Sequence, residues 1–148
     1  MTEVLFYHLQ RQPLEAVLPA LLERSLERGW RVVVQAGSRE RVEALDAHLW
    51  TYRDESFLPH GIDAETAAEQ PVFLTEGEIN PNRADVRFVV DGAAMGTVNG
   101  YQRVVLMFDG NDEAAVAAAR EAWKGLKDAG HNATYWQQND AGRWEKKA

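Results

Sequence analysis

Apolar positions along this chain follow two periods, and the alternation between them predicts a layered α/β domain. Short apolar runs rich in β-branched and aromatic residues stand at 3–9 (EVLFYHL), 30–35 (WRVVVQ), 71–75 (PVFLT), 85–90 (DVRFVV) and 103–108 (RVVLMF). Runs of that length and composition read as buried strands. Between the first two, Leu14, Val17, Leu18, Leu21, Leu22 and Leu26 recur at helical spacing. Pro13 sits where a helix can begin, since its missing N–H is not needed there, and Gly29 supplies the stop. Pro19 lies inside this pattern and is expected to bend the helix or shift its start. Ser38 is placed to cap a second helix that carries Arg41, Val42, Leu45 and Leu49 and ends near Trp50. Asp112 opens a third, running to Ala129 and closed by Gly130 in the left-handed conformation.

Strands alternating with helices across short joints imply a mainly parallel central sheet with right-handed crossovers. The fold expected is therefore a single-domain three-layer α/β sandwich, Rossmann-like, spanning residues 1–148. Residues 51–70 have no clean period and contain Pro59 and Gly61, so they read as one long loop. A polar turn at 77–82 separates the strands at 71–75 and 85–90. Residues 134–137 can add a last edge strand, and 143–148 read as a frayed tail. There is no repeat, linker or low-complexity tract.

Composition narrows the function. The apolar share is 45% and the charged share 26%, the balance of a globular domain. There is no cysteine, which excludes a disulfide scaffold, a thiolate metal site and a cysteine nucleophile. The five tryptophans are more than this length needs for a core, and Trp is favoured at contacts with other proteins. The N-terminus lacks the basic and long apolar regions of a signal peptide, and no segment reaches the length of a membrane span, so the expected location is cytoplasmic, away from any membrane. The formal net charge of -7 disfavours direct DNA binding, which rests on neutralising phosphates.

Chemistry is not visible in the motifs. The first strand is followed by Gln10-Arg11-Gln12-Pro13, without glycine, and the second by Gln35-Ala36-Gly37-Ser38, with one. Neither matches the dinucleotide fingerprint, whose glycines let backbone N–H groups approach a pyrophosphate. The segment from Asp91 to Gly96 has two glycines but no helix after it, and reads as a polar β-turn. His8, His48, His60 and His131 are too far apart in sequence to form a helical metal pair. Ser38 and Ser56 lack a nucleophile-elbow context. Neither a catalytic residue, a cofactor nor a metal is expected.

One helical stripe stands out. Arg120, Lys124 and Lys127 are spaced i, i+4 and i+7, with Trp123 beside them. Two readings stay open: a grip for an acidic peptide with an aromatic wall, or cations favouring the C-terminal half of a helix that begins with Asp112 and Glu113.

The run Leu49-Trp50-Thr51-Tyr52-Arg53-Asp54-Glu55-Ser56-Phe57-Leu58-Pro59-His60 resembles the hallmark of the chi subunit of bacterial DNA polymerase III. Supporting features follow in order: Phe6-Tyr7 in the first strand, Pro71-Val72, the apolar Val86-Arg87-Phe88-Val89, and Arg120-Glu121-Ala122-Trp123-Lys124 leading into Gly130-His131-Asn132. The similarity spans most of the chain, to about Trp136. It implies an α/β fold without a working nucleotide site and a non-catalytic role in DNA replication. It also implies two partners: the psi subunit of the clamp loader, and the acidic C-terminal tail of single-stranded DNA-binding protein, so that DNA is reached only indirectly. The resemblance puts the tail on Arg120, Trp123, Lys124 and Lys127, and psi on Trp50, Phe57, Leu58, Pro59 and His60. Lys127 stands where the family has arginine, and Glu121 and Asp128 dilute the patch, so a weaker grip is expected. The rival is a small nucleotide-binding or enzymatic domain working at the carboxyl ends of the strands.

Overall fold

The chain folds as β1 (Glu3–Leu9), α1 (Leu14–Glu27), β2 (Val32–Gln35), α2 (Arg39–Thr51), β3 (His60–Gly61), a 3-10 helix (Ala64–Glu69), β4 (Val72–Thr75), β5 (Val86–Val89), β6 (Arg103–Asp109), α3 (Glu113–Asp128), β7 (Asn132–Gln138) and β8 (Trp144–Lys146). This is a computed structural model, and it describes residues 2–51 and 58–148. The strands form one eight-stranded sheet in the order β3-β4-β2-β5-β6-β1-β7-β8. Every described pairing is parallel except β7 with β8.

Parallel strands need crossovers, and the helices supply them on both faces. On one face α1 and α2 bury Leu14, Leu18, Leu22, Val42, Leu45 and Leu49 against Leu5, Val34, Leu74 and Val105. On the other, α3 packs Ala119 against Val4, Phe6, Val104, Phe108 and Ala133. The expected three-layer α/β sandwich is therefore what forms.

Pro19 is buried within α1 and does not end it. A proline there cannot donate to the carbonyl of Glu15, four residues earlier. His48 on α2 takes up that acceptor: its Nε2 lies 2.7 Å from the Glu15 oxygen, so Nε2–H donates across the helix pair. The proline lesion is thus repaired by a neighbouring helix.

Four features depart from the sequence pattern. The segment read as a loop over 51–70 holds β3 and the 3-10 helix, both too short to give a periodic signal. The second strand begins at Val32 rather than residue 30, because Trp30 and Arg31 belong to the turn and pack by their side chains. The strands at 71–75 and 85–90 are not neighbours, since β2 lies between them and pairs with both. Finally, β7 is not the edge: residues expected to fray form β8, in which Trp144 pairs with Gln138 and packs 4.8 Å from Tyr7.

Arg87 is a buried cation in the middle of β5, 1% exposed. Its guanidinium donates to Gln35 Oε1 (3.0 Å from Nε) and to the carbonyls of Ala94 (3.1 Å), Met95 and Thr97 (3.1 Å). It thereby clamps the irregular stretch after β5 to the sheet. Burial lowers its pKa from the ordinary arginine value.

Candidate functional site

Helix α3 is built for a one-sided seat. Asp112 caps its N-terminus, accepting from the amides of Ala114 (3.0 Å) and Ala115 (3.3 Å). Gly130, at φ 84°, ends it with His131 N–H donating to Leu126 O and Gly130 N–H to Lys127 O, both at 3.0 Å. That is the paired pattern of a left-handed helix stop. Ala115, Val116, Ala119, Ala122, Trp123 and Leu126 face the sheet, while Arg120, Lys124 and Lys127 are exposed along the adjoining flank.

Trp123 is half-buried at the border between the two. Its ring meets Phe6 edge-on at 5.3 Å and 78°, and Tyr135 at 6.0 Å and 82°. Lys127 Nζ sits 4.9 Å from the same ring, a cation–π contact. So the structure brings together three exposed cations and an indole fixed from behind by two strand aromatics. Phe6 and Tyr135 face each other in register across β1 and β7. Sequence reasoning did not single out Tyr135; the usable signal was that a last strand beside β1 would align it with Phe6.

Behind Arg120 lies a buried polar group. His8 Nδ1 is hydrogen-bonded to the Tyr135 hydroxyl, and its ring meets Phe108 at 5.1 Å. His8 Nε2 is buried and has no hydrogen-bond partner among the described residues. Burial lowers the His8 pKa, and the positive charge of Arg120 lowers it further, against a smaller opposing effect of Asp109. The folded state therefore prefers the neutral ring. The unfolded chain binds the extra proton first, so the stabilisation present above the unfolded value of about 6.5 is lost as pH falls from there towards the lower folded value. Urea titrations across that window should show stability falling on acidification in the native chain and a flatter response in His8→Gln.

The candidates around the hallmark separate. Trp50 is exposed at 54%, and its ring packs against His60 at 4.3 Å with a tilt of 40°. Leu58 (2%) and His60 (5%) are buried, and Pro59 is half-buried. His60 directs Nδ1 to Leu58 O at 2.6 Å and Nε2 to both Asp46 O and Asp46 Oδ1 at 3.2 Å. Nε2 thus ties β3 to α2, while Nδ1 holds the turn leading into β3. Phe57 lies outside the described residues. The hallmark ends folded against the sheet, with Trp50 standing outside.

The carboxyl ends of the strands also enclose space. A cavity of about 860 Å³ opens between the segments following β1, β5 and β6 and the alanine face of α3. Its polar rim carries Glu15, Asp91, Asp109 and Asp112 against Arg11 and Arg41. Arg41 is already committed to Glu15 Oε1 (2.5 Å) and Asp91 Oδ2 (3.0 Å). The α3 amides that would hold a phosphate are occupied by Asp112. At the end of β5, Asp91 and Gly92 have φ of 51° and 78°, and Ala93 N–H donates to Val90 O at 3.1 Å. That is a tight β-turn with both central residues left-handed, as read from the sequence, not an anion cradle. Among the described residues no cluster of His, Asp and Glu could hold a metal ion. Among the described residues no helix is long and apolar enough to cross a membrane.

These features define a Rossmann-like α/β domain with no phosphate loop among the described residues, and with a row of exposed cations along the flank of α3. The family model described as DNA polymerase III chi subunit, HolC, matches residues 1–134, and the chain belongs to that family. It is 31% identical over 134 residues to the DNA polymerase III subunit chi of Pseudomonas aeruginosa, covering 88% of this chain and 93% of that protein. It is 24% identical over 109 residues to a probable DNA polymerase III subunit chi of Rickettsia prowazekii, covering 73% and 66%.

Proposed function

We propose that this chain is a non-catalytic accessory subunit of the DNA polymerase III holoenzyme. It bridges the clamp loader, through the psi subunit, to the acidic C-terminal tail of single-stranded DNA-binding protein. It works in the cytoplasm, and its link to the coated DNA template runs through that partner. The observation that carries the reading is the α3 flank. Arg120, Lys124 and Lys127 are exposed in a row beside Trp123, on a chain whose net charge is -7. Concentrating exposed cations there favours a short acidic segment over a long polyanion. The held edge of Trp123 offers a wall for the apolar end of the tail, with Phe6 and Tyr135 keeping the indole in place.

The psi contact is assigned to Trp50, whose exposure is what an aromatic anchor needs, with Pro59 and Phe57, the latter outside the described residues, as further candidates. Leu58 and His60 then act from within, holding the segment that presents the anchor. Two modest contacts on one assembly gain avidity from each other.

The test is a fluorescence-polarisation titration with a labelled peptide of the acidic tail. Arg120→Ala and Lys124→Ala should each weaken binding by about 1–3 kcal/mol, the range of a charge-assisted contact. Affinity should also fall as salt rises through the physiological range. Unchanged affinity in both variants would remove the α3 flank from the site. The rival reading, a nucleotide or enzymatic pocket at the carboxyl ends, has the 860 Å³ cavity in its favour and that cavity's four carboxylates against it.

A further inference from the structure

On the face opposite α3, the C-terminal half of α1 and strands β1, β5 and β6 enclose a second cavity of about 330 Å³. Its lining includes Arg24, Arg28 and Arg103 together with Tyr7 and Trp30, and its one carboxylate is Glu27. Arg24 lies in the last turn of α1 and Arg28 is its C-cap, and Arg103 opens β6, where Glu3 Oε1 holds it at 2.6 Å. The guanidinium carbons of Arg28 and Arg103 lie 4.8 and 5.1 Å from the centre of the Trp30 ring. The indole therefore draws together two charges that would otherwise repel. Among the described residues, neither Arg24 nor Arg28 has an ion pair. Tyr7 packs on Trp144 at 4.8 Å and 32°, and its hydroxyl lies within the field of all three arginines. Burial raises that hydroxyl above its ordinary value, outweighing the arginines' pull, so it remains a donor at neutral pH.

We propose that this cavity binds a phosphate group, carried either by a free mononucleotide or by the 5′ end of a nucleic acid single strand. Arg24 and Arg28, with the remaining N–H groups of Arg103 beyond its Glu3 pair and the Tyr7 hydroxyl, offer several donors and two uncompensated charges, which suit the dianion and several oxygens of a phosphate monoester. A volume near 330 Å³ is at the lower end of small-ligand sites, enough for one nucleotide unit. The Tyr7 and Trp30 rings in its lining give a base an aromatic surface to pack on. The competing account is that Arg24 and Arg28 only complement the C-terminal end of α1. In that case substituting them would change the melting temperature and nothing else.

Titration calorimetry on the full chain at low salt separates these. The probes are thymidine monophosphate, thymidine, and a short oligothymidylate with and without a 5′ phosphate. The monophosphate should bind while thymidine binds about tenfold more weakly or not at all, as expected from losing one or more charge-assisted hydrogen bonds. Arg24→Gln combined with Arg28→Gln should lower affinity for the monophosphate by about tenfold or more. Tyr7→Phe, which keeps the ring packing, should lower it by a smaller factor and serves if the double variant does not fold. Preference for the phosphorylated oligomer assigns the strand end; equal behaviour of the two oligomers assigns the free nucleotide. Equal binding of the monophosphate and thymidine, or binding that neither variant alters, overturns the proposal. Arg120→Ala leaves this cavity intact, so its outcome is independent of the tail site on α3.

Discussion

Replacing Arg87 by leucine should cost about 3–5 kcal/mol of stability, a loss that few single substitutions in a small domain reach. The charge itself is not the reason, since leucine is cheaper to bury than a guanidinium. The cost comes from what the guanidinium leaves behind. Gln35 Oε1 and the carbonyls of Ala94, Met95 and Thr97 all accept from it, and Arg87 is 1% exposed. Each buried acceptor left without a donor costs about 1–3 kcal/mol, reduced where water can reach the part-buried carbonyls. Arg87→Lys should recover only part of the loss, because one ammonium cannot fork to four acceptors on two sides. Urea denaturation measures both. A shift in Arg87→Leu equivalent to less than about 1 kcal/mol would mean that the 94–97 segment is not held by this clamp.

Gly37→Ala is expected to destabilise by about 1–3 kcal/mol, with the opposite sign from backbone propensity. Gly37 does not occupy the left-handed region. By chain entropy alone, alanine there would stabilise by about 0.4–1 kcal/mol. Yet a Cβ at Gly37 would land on the carbonyl oxygen of Asp91, with that residue's carbonyl carbon 3.3 Å away. These are backbone atoms, which cannot rotate aside. Asp91 is itself fixed by Arg41 at 3.0 Å and by its turn. Gly125→Ala provides the matched comparison. It lies inside α3 with nothing within 4 Å of the added carbon, and should stabilise by roughly 0.5–1 kcal/mol. Thermal melting of the two variants in parallel should move in opposite directions. A rise in both would show that the contact between the β2 and β5 ends is loose.

The two substitutions probe one device. The stretch from Asp91 to Thr97 is held at its base by the Gly37 contact and the Arg41 pair, along its length by Arg87, and at its end by Thr97 N–H donating to Glu78 Oε1 at 2.7 Å. It forms a wall of the large cavity at the carboxyl ends. An irregular segment fixed at this many points is a structural wall.

Periodicity made the layers legible. The runs in β1, β2, β4, β5 and β6 are buried on both faces, and a strand buried on both faces is apolar at most positions, so the sequence carries it openly. Helix ends were legible for a similar reason. Asp112, Gly29 and Gly130 satisfy or relax the chain locally, and local chemistry leaves local marks. The α3 flank was visible as spacing, because i, i+4 and i+7 share a face in any helix.

What remained for the tertiary structure was everything fixed by contacts distant in sequence. No local rule marks Arg87 as buried, since its four acceptors come from β2 and from a segment several residues on. Pro19 persists inside α1 only because His48 on another helix takes the orphaned Glu15 carbonyl. The order of strands, with β2 between β4 and β5 and a tail strand beyond β7, depends on crossovers whose direction no residue encodes. The same holds for the cluster of Arg24, Arg28, Arg103, Tyr7 and Trp30: three of these lie on or beside α1, and two come from neighbouring strands. Side-chain type and period are properties of the chain, whereas the pairing of remote polar groups exists only once the backbone has closed around them.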